Sequence, residues 1–299
     1  MRVALASKRI LITGIDSFTG VHLSKHLEQL GYEVFGTVIS GGDNARTFVC
    51  DITDSNACTH TIKKLQPEYI IHLAVISFVG HADTEAFYLI NTIGTQNLLD
   101  AVVQAACSVK KVILASSATV YGEQKSEVLD ELMCPQPANH YGISKLSMEH
   151  VARGFFSKLP IIIVRPFNYT GVGQPDHFLV PKIVNHYRRG EKHIELGNLN
   201  VAREFNDVVM ACDIYARLLK SDAQSEIFNL CSGNATSLMD VIALMDLIAG
   251  YKIDVQVNPA FVRANEIKRL VGCTKKLEKA IGAIKSVSFK QTLQTMYEA

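Results

Sequence analysis

The chain has 299 residues, 48% hydrophobic and 20% charged, enough apolar material for a substantial core and too much for global disorder. Thirty Lys and Arg stand against 29 Asp and Glu. That balance gives no electrostatic reason for nucleic acid or an anionic membrane as partner, so phosphate recognition has to come from local geometry. Seven cysteines, at 50, 58, 107, 134, 212, 231 and 273, and ten histidines show no metal or redox spacing. No apolar run suits a signal peptide or a membrane span, and the expectation is a soluble cytoplasmic protein without a metal.

Arg9 to Thr13 is a continuous apolar strand. Phe18 to Leu30 follows as a helix with Val21, Leu23, Leu27 and Leu30 on one stripe and Gly31 as its stop. Further strands are expected at Glu33–Val38, Tyr69–Leu73, Val109–Ala115 and Leu159–Arg165, with helices at Thr84–Ala106 and Asn139–Phe156. Phe155 and Phe156 read as helix core. Apolar strands separated by helices predict an α/β fold: a Rossmann-type, doubly wound parallel sheet over residues 1–167. After Pro166 the rhythm breaks at Gly171, Gly173, Pro175, Gly190 and Gly197. Residues 168–299 are therefore expected to form mainly a smaller C-terminal substrate-binding lobe, from which later segments could return to the sheet.

Between the first strand and helix lies Thr13-Gly14-Ile15-Asp16-Ser17-Phe18-Thr19-Gly20. A tight strand-to-helix turn of small residues lets backbone amides approach a pyrophosphate, and a helix N-terminus favours negative charge. Ser17 stands where the dinucleotide fingerprint usually has its middle glycine. The second strand ends Thr37-Val38-Ile39-Ser40 without the carboxylate that would bind a ribose 2′-hydroxyl and repel a 2′-phosphate. With Arg46 nearby, NADPH is the expected cofactor, NADH the alternative.

Tyr141 and Lys145 share a face at the start of a predicted helix. An ammonium beside a phenol favours the phenolate and lowers its pKa, which suits proton exchange with a carbonyl or alcohol. Twenty-four residues before Tyr141, at a strand end, is Ser117. Such ends face the ligand crevice of open α/β sheets. Lys182, Arg188, Arg189 and Lys192 read as a solvated helix face, and His72 as a strand end near the cofactor.

Several stretches carry a resemblance: Ile12 to Gly20, Asp51-Ile52, His72-Leu73-Ala74, Asn91 to Asn97, Ser116 to Gly122, Tyr141 to Lys145, Arg165 to Asn168, Arg203-Glu204-Phe205, Asn229 to Gly233 and Arg263 to Glu266. Over nearly its whole length the chain resembles the extended short-chain dehydrogenase/reductases, within them the sugar-nucleotide-modifying branch. The resemblance implies Tyr141 as general acid, Lys145 as its electrostatic partner and ribose ligand, and Ser117 as donor to the sugar carbonyl. It implies a dinucleotide held by Gly14, Ser17, Phe18, Thr19, Gly20, Asp51, Ile52, Leu73, Ala74, Tyr141 and Lys145. It places the sugar nucleotide against Ser117, Asn168, Val180, Lys182, Arg203, Arg263 and Glu266. Read from the residues alone, Asp51 and Asn168 could equally be capping or turn residues. A homodimer through the helices 84–106 and 139–156 is also implied.

Within that branch, Ala118, Thr119 and Val120 follow Ser117, without the acidic pair of a 4,6-dehydratase or the cysteine of an epimerase-reductase. The runs Arg165 to Gln174 and Gly197 to Arg203 look most like reductases of GDP- or dTDP-linked 4-keto-6-deoxyhexoses, in deoxysugar biosynthesis for surface polysaccharide. A 4-epimerase shares Ser117, Tyr141 and Lys145 and is the alternative. A non-catalytic dinucleotide-sensing regulator would be marked by loss of Tyr141 or Lys145, and both are present.

Overall fold

The computed structural model describes residues 8–41, 44–77, 83–262 and 267–299. The first half contains β1 (Lys8–Thr13), α1 (Phe18–Gln29), β2 (Tyr32–Val38), β3 (Thr47–Val49), α2 (Ser55–Leu65) and β4 (Tyr69–His72). It continues with α3 (Thr84–Tyr88), a π turn (Leu89–Gly94), α4 (Thr95–Gln104), β5 (Lys111–Ala115), α5 (His140–Arg153) and β6 (Ile161–Pro166). Then come β7 (Tyr169–Thr170), α6 (Leu179–Arg188), β8 (His193–Leu196), β9 (Ala202–Arg203), β10 (Asn206–Asp207), α7 (Val208–Lys220) and β11 (Glu226–Leu230). The chain closes with β12 (Thr236–Ser237), α8 (Leu238–Ala249), β13 (Asp254–Val257), β14 (Arg269–Leu270), α9 (Lys275–Ile281) and α10 (Phe289–Glu298).

Seven strands form one parallel sheet in the order β11-β6-β5-β4-β1-β2-β3. Strand residues alternate between its two faces. Ile10, Ile12, Ile113, Ile162 and Val164 pack on one side with α1 and α7; Leu11, Val112, Leu114, Ile161 and Ile163 pack on the other with α2, α4 and α5. This is a Rossmann-like doubly wound fold. Its chain order reverses between β1 and β4, where ligands bind in such sheets. A third cluster joins α6, α8, α10, β8 and β13, with Ile183, Val184, Val241 and Met245 at its centre.

The main differences from the sequence reading have physical causes. Val21 and Leu30 were expected to be buried but are 39% and 42% exposed. Val21 lies about 200° round the axis from Leu23, and Leu30 caps the helix end. The helix expected at 84–106 is interrupted by the π turn. Phe155 and Phe156 fall beyond the end of α5, half-buried against the core. After the irregular stretch, β11 returns to the sheet beside β6. No described helix is long and apolar enough to cross a membrane.

Candidate active site

The turn between β1 and α1 is small because it is crowded. Gly14 has φ +67°, and a Cβ on Gly20 would lie 2.5 Å from the Gly14 carbonyl oxygen. Ser17, in place of the middle glycine, is the N-cap of α1, its hydroxyl accepting from the Gly20 amide at 3.1 Å. The first turn of α1 carries no acidic residue, and the Phe18 and Thr19 amides have no acceptor within the helix. That end of α1 suits a phosphate. The Gly14 and Ile15 amides already donate to the Thr37 carbonyl, at 3.0 and 3.2 Å.

Behind the turn, His72 is fully buried. Thr95 donates its hydroxyl to the Asn91 carbonyl at 2.7 Å, so it accepts from His72 Nε2 at 3.0 Å. His72 Nδ1 then accepts from the Thr13 hydroxyl at 2.7 Å. The Thr13 oxygen in turn accepts the Leu73 and Ala74 amides, each at 3.1 Å. Burial, with the Lys145 charge nearby, pushes the His72 pKa down to about 3, so the ring is neutral.

Arg46 does not stand at the end of β2. The register pairs Gly36 with Thr47 and Val38 with Val49, which sets Arg46 below the carboxyl edge, paired with Glu28 at 3.4 Å. Asp51 is exposed and bonds the amide and hydroxyl of Thr53, both at 2.8 Å. Ile52 is buried against Gly94 of the π turn, and its carbonyl accepts from Asn97 at 3.0 Å.

Asn139 caps α5 through the Gly142 amide at 2.8 Å and so sets Tyr141 in the first turn. The Ser117 hydroxyl accepts from the Thr119 amide and hydroxyl, at 3.2 and 2.9 Å, and lies close enough to the Tyr141 phenol to favour its ionised form. Lys145 is fully buried, its Nζ donating to the Ala115 carbonyl at 2.6 Å. The electrostatics differ from expectation. Burial raises the Tyr141 pKa, and Ser117 only partly offsets it. Burial lowers Lys145 to about 7, with Glu149 opposing. Desolvation outweighs the opposing contribution for both groups, Ser117 for Tyr141 and Glu149 for Lys145.

The π turn fixes the opposite wall. Asn91 donates to the Ser144 hydroxyl at 3.0 Å and accepts the Ile76 amide at 2.9 Å, while Thr92 donates to the Ser144 carbonyl at 3.2 Å. Sequence reasoning missed Glu149, although the signal was present: it continues the i, i+4 face of Tyr141 and Lys145. It is fully buried, accepts the Ser116 hydroxyl at 2.6 Å, and takes Arg165 on both oxygens at 2.9 and 2.7 Å.

The expected sugar-nucleotide residues are more dispersed. Asn168 is exposed and its carbonyl accepts the Asn206 amide at 2.9 Å. Arg203 lies on β9, between β12 and β14. Val180 is 3% exposed, within the third cluster. Lys182 donates to the Glu195 carbonyl at 2.8 Å and lies over the Phe261 ring. Arg263 and Glu266 lie outside the described residues. Among the described residues no cluster of metal-binding side chains occurs.

These features fit a nicotinamide dinucleotide: an acid-free helix N-terminus, a turn that a Cβ would fill, and a buried lysine beside a buried phenol. The family model for GDP-mannose 4,6 dehydratase matches residues 11–296. The chain is similar to a GDP-6-deoxy-D-talose 4-dehydrogenase of Aggregatibacter actinomycetemcomitans, 35% identical and covering 97% of each chain. A crystal structure from Burkholderia cenocepacia superposes with a TM-score of 0.92 at 41% identity, covering 98% of this chain and 97% of that one. The structure of RMD from Pseudomonas aeruginosa, complexed with NADPH, superposes with a TM-score of 0.85 at 26% identity, covering 98% and 97%.

Proposed function

The chain belongs to the GDP-mannose 4,6 dehydratase family, in the sugar-nucleotide-modifying branch of the extended short-chain dehydrogenase/reductases, and from this premise we propose that it reduces the C4 keto group of a GDP- or dTDP-linked 4-keto-6-deoxyhexose. A nicotinamide dinucleotide supplies hydride to C4 in this reading, held by the first turn of α1 and by Lys145. The observation that carries it is the meeting of Ser117, Tyr141 and Lys145 at the carboxyl edge of the sheet, beside the glycine turn. Ala118, where an elimination would need an acid, opposes dehydration.

Burial keeps the Tyr141 phenol protonated at neutral pH, so it enters the reaction as an acid and protonates the developing alkoxide at O4. The Ser117 oxygen is committed as acceptor to Thr119, which leaves its own proton for Tyr141 or the sugar oxygen. The Lys145 ammonium stabilises the phenolate that remains. Reversal of the same steps oxidises the alcohol.

The test is NADPH and NADH oxidation with GDP- and dTDP-linked 4-keto-6-deoxyhexoses, with product analysis. The expected result is stoichiometric oxidation, kcat/KM with NADPH at least equal to that with NADH, and a loss of about 10²–10⁴ in kcat for Tyr141→Phe at unchanged dinucleotide affinity. A strong NADH preference would defeat the NADPH reading. Inversion at C4 without net oxidation would establish a 4-epimerase. The exposed Leu89 and Ile93 of the π turn, Val103 of α4 and Ile143 of α5 support pairing of two copies there; a monomeric mass by light scattering at micromolar concentration would oppose it.

A further inference from the structure

Two consecutive residues at the end of β5 are gripped from α5. Lys145 takes the Ala115 carbonyl at 2.6 Å, and one turn further along, Glu149 takes the Ser116 hydroxyl at 2.6 Å. The next residue is Ser117. The Ser116 amide makes a sheet bond to the Val164 carbonyl at 2.7 Å, so the strand end is held from α5 and from β6 together. Arg165, on β6, braces Glu149 through two bonds and lies 4.7 Å from the centre of the Tyr121 ring, in the short turn that follows Ser117. One carboxylate therefore joins the helix that carries Tyr141 and Lys145 to the strand end that carries Ser117.

We propose that Glu149 is a positioning residue: through Lys145 and Ser116 it holds the ammonium charged and in register with Tyr141 and Ser117, with Arg165 as the counter-ion that keeps the carboxylate in place. The proposal rests on the reading of Lys145 as the charged partner of Tyr141. Its physical basis is placement. A buried ion pair is poor evidence of a stability role, because well-packed apolar residues often serve as well or better. This pair instead stands one helical turn behind a fully buried lysine. The charged and titratable groups around Lys145 are Tyr141 and Glu149 on its own helix and His72 on β4, with Arg165 of β6 bound to the Glu149 carboxylate and the phenols of Tyr169 and Tyr215 facing Tyr141. His72 is neutral, and among the described residues Glu149 is the charged group that favours the ammonium against burial.

Two variants separate charge from hydrogen bonding. The double variant Glu149→Gln/Arg165→Met removes both charges and keeps an acceptor for Ser116; Ser116→Ala removes the hydroxyl and keeps both charges. The titration of Lys145 is read by NMR on lysine-labelled protein without substrate, with Lys145→Arg for assignment, so the result does not depend on which sugar nucleotide is used. The expected midpoint falls by about one pH unit or more in the double variant, a shift equivalent to a tenfold change in protonation, and stays in place in Ser116→Ala. In turnover, the high-pH limb of kcat moves down with the midpoint in the double variant, whereas Ser116→Ala lowers kcat without moving the limb. Should the double variant lose its circular-dichroism signature, Glu149→Asp carries the test: it withdraws the charge by one methylene and lowers the midpoint by less. An unmoved midpoint when the charge is removed or withdrawn overturns the proposal, and so does an equal shift in Ser116→Ala.

Discussion

Two buried glutamates anchor different parts of this molecule, and their environments are opposite. Glu149, behind the Tyr141 helix, meets a full positive charge, Arg165, on both oxygens. Glu204, where β9 meets the segments around Ser232 and Gly272, receives neutral donors: the Gly272 amide at 2.6 Å, the Ser232 amide at 2.7 Å and hydroxyl at 3.3 Å, and the Asn206 amide nitrogen at 3.0 Å. Burial pushes the Glu204 carboxyl up, and those amides only partly hold it back. The pair behind Tyr141 and Lys145 brings its own counter-ion; the junction relies on dipoles and answers to pH.

The largest effect expected from this contrast follows from breaking the charged anchor on one side. Arg165→Met leaves Glu149 buried without its partner, at a cost of about 3–5 kcal/mol in urea unfolding, whereas replacing both partners is nearly neutral. Equal losses in the single and double variants would mean that packing of the arginine against Tyr121, rather than its charge, is what matters there.

The neutral anchor is expected to fail more gently. Glu204→Gln replaces one acceptor oxygen with a donor facing other donors and costs about 1–3 kcal/mol. The sign of its pH dependence follows from the raised carboxyl. A folded-state pKa above the unfolded value gives stability that is full below about 4.5 and is lost as pH rises through the folded value. The difference between wild type and Glu204→Gln in urea unfolding therefore narrows from pH 5 to pH 8. A widening difference would show that the carboxylate, rather than the acid, is the better-held form.

What the sequence made legible follows the same division. Tyr141, Lys145 and Ser117 could be found because helix period and strand end fix their relation locally. Glu149 continues that period, yet its meaning depends on Arg165, which only the pairing of β5 with β6 brings beside it. The misplacement of Arg46 came from register: β3 pairs with β2 low enough to direct that side chain to Glu28. The burial of Val180 is equally a tertiary matter, since it shares a cluster with Val241 and Met245, far along the chain. β7, β9, β10, β12 and β14 have two residues each, too short to show any alternation, and the return of β11 to β6 is a purely tertiary event.

The smallest effect concerns a third solution to burial, the absence of charge. His72 is held neutral between Thr13 and Thr95, with its pKa pushed down to about 3 by desolvation and by Lys145. A depressed folded-state value means that the unfolded chain binds the proton first. The contribution is intact above about pH 6.5 and is lost progressively as pH falls towards the folded value. At pH 5.5 the loss from this one ring is about 1.4 kcal/mol, since one pH unit below the unfolded pKa is worth that much. His72→Asn keeps a donor and an acceptor but cannot titrate. Its stability is expected to be lower than wild type at pH 7.5, because the shorter side chain bridges the two threonines less well, and the gap is expected to close by about 1.4 kcal/mol at pH 5.5. Every other residue is common to both proteins, so its contribution cancels in the difference. A gap that stays constant over that interval would mean that His72 is reached by protons in the folded state, and the wall behind the glycine turn would then be less closed than its hydrogen bonds indicate.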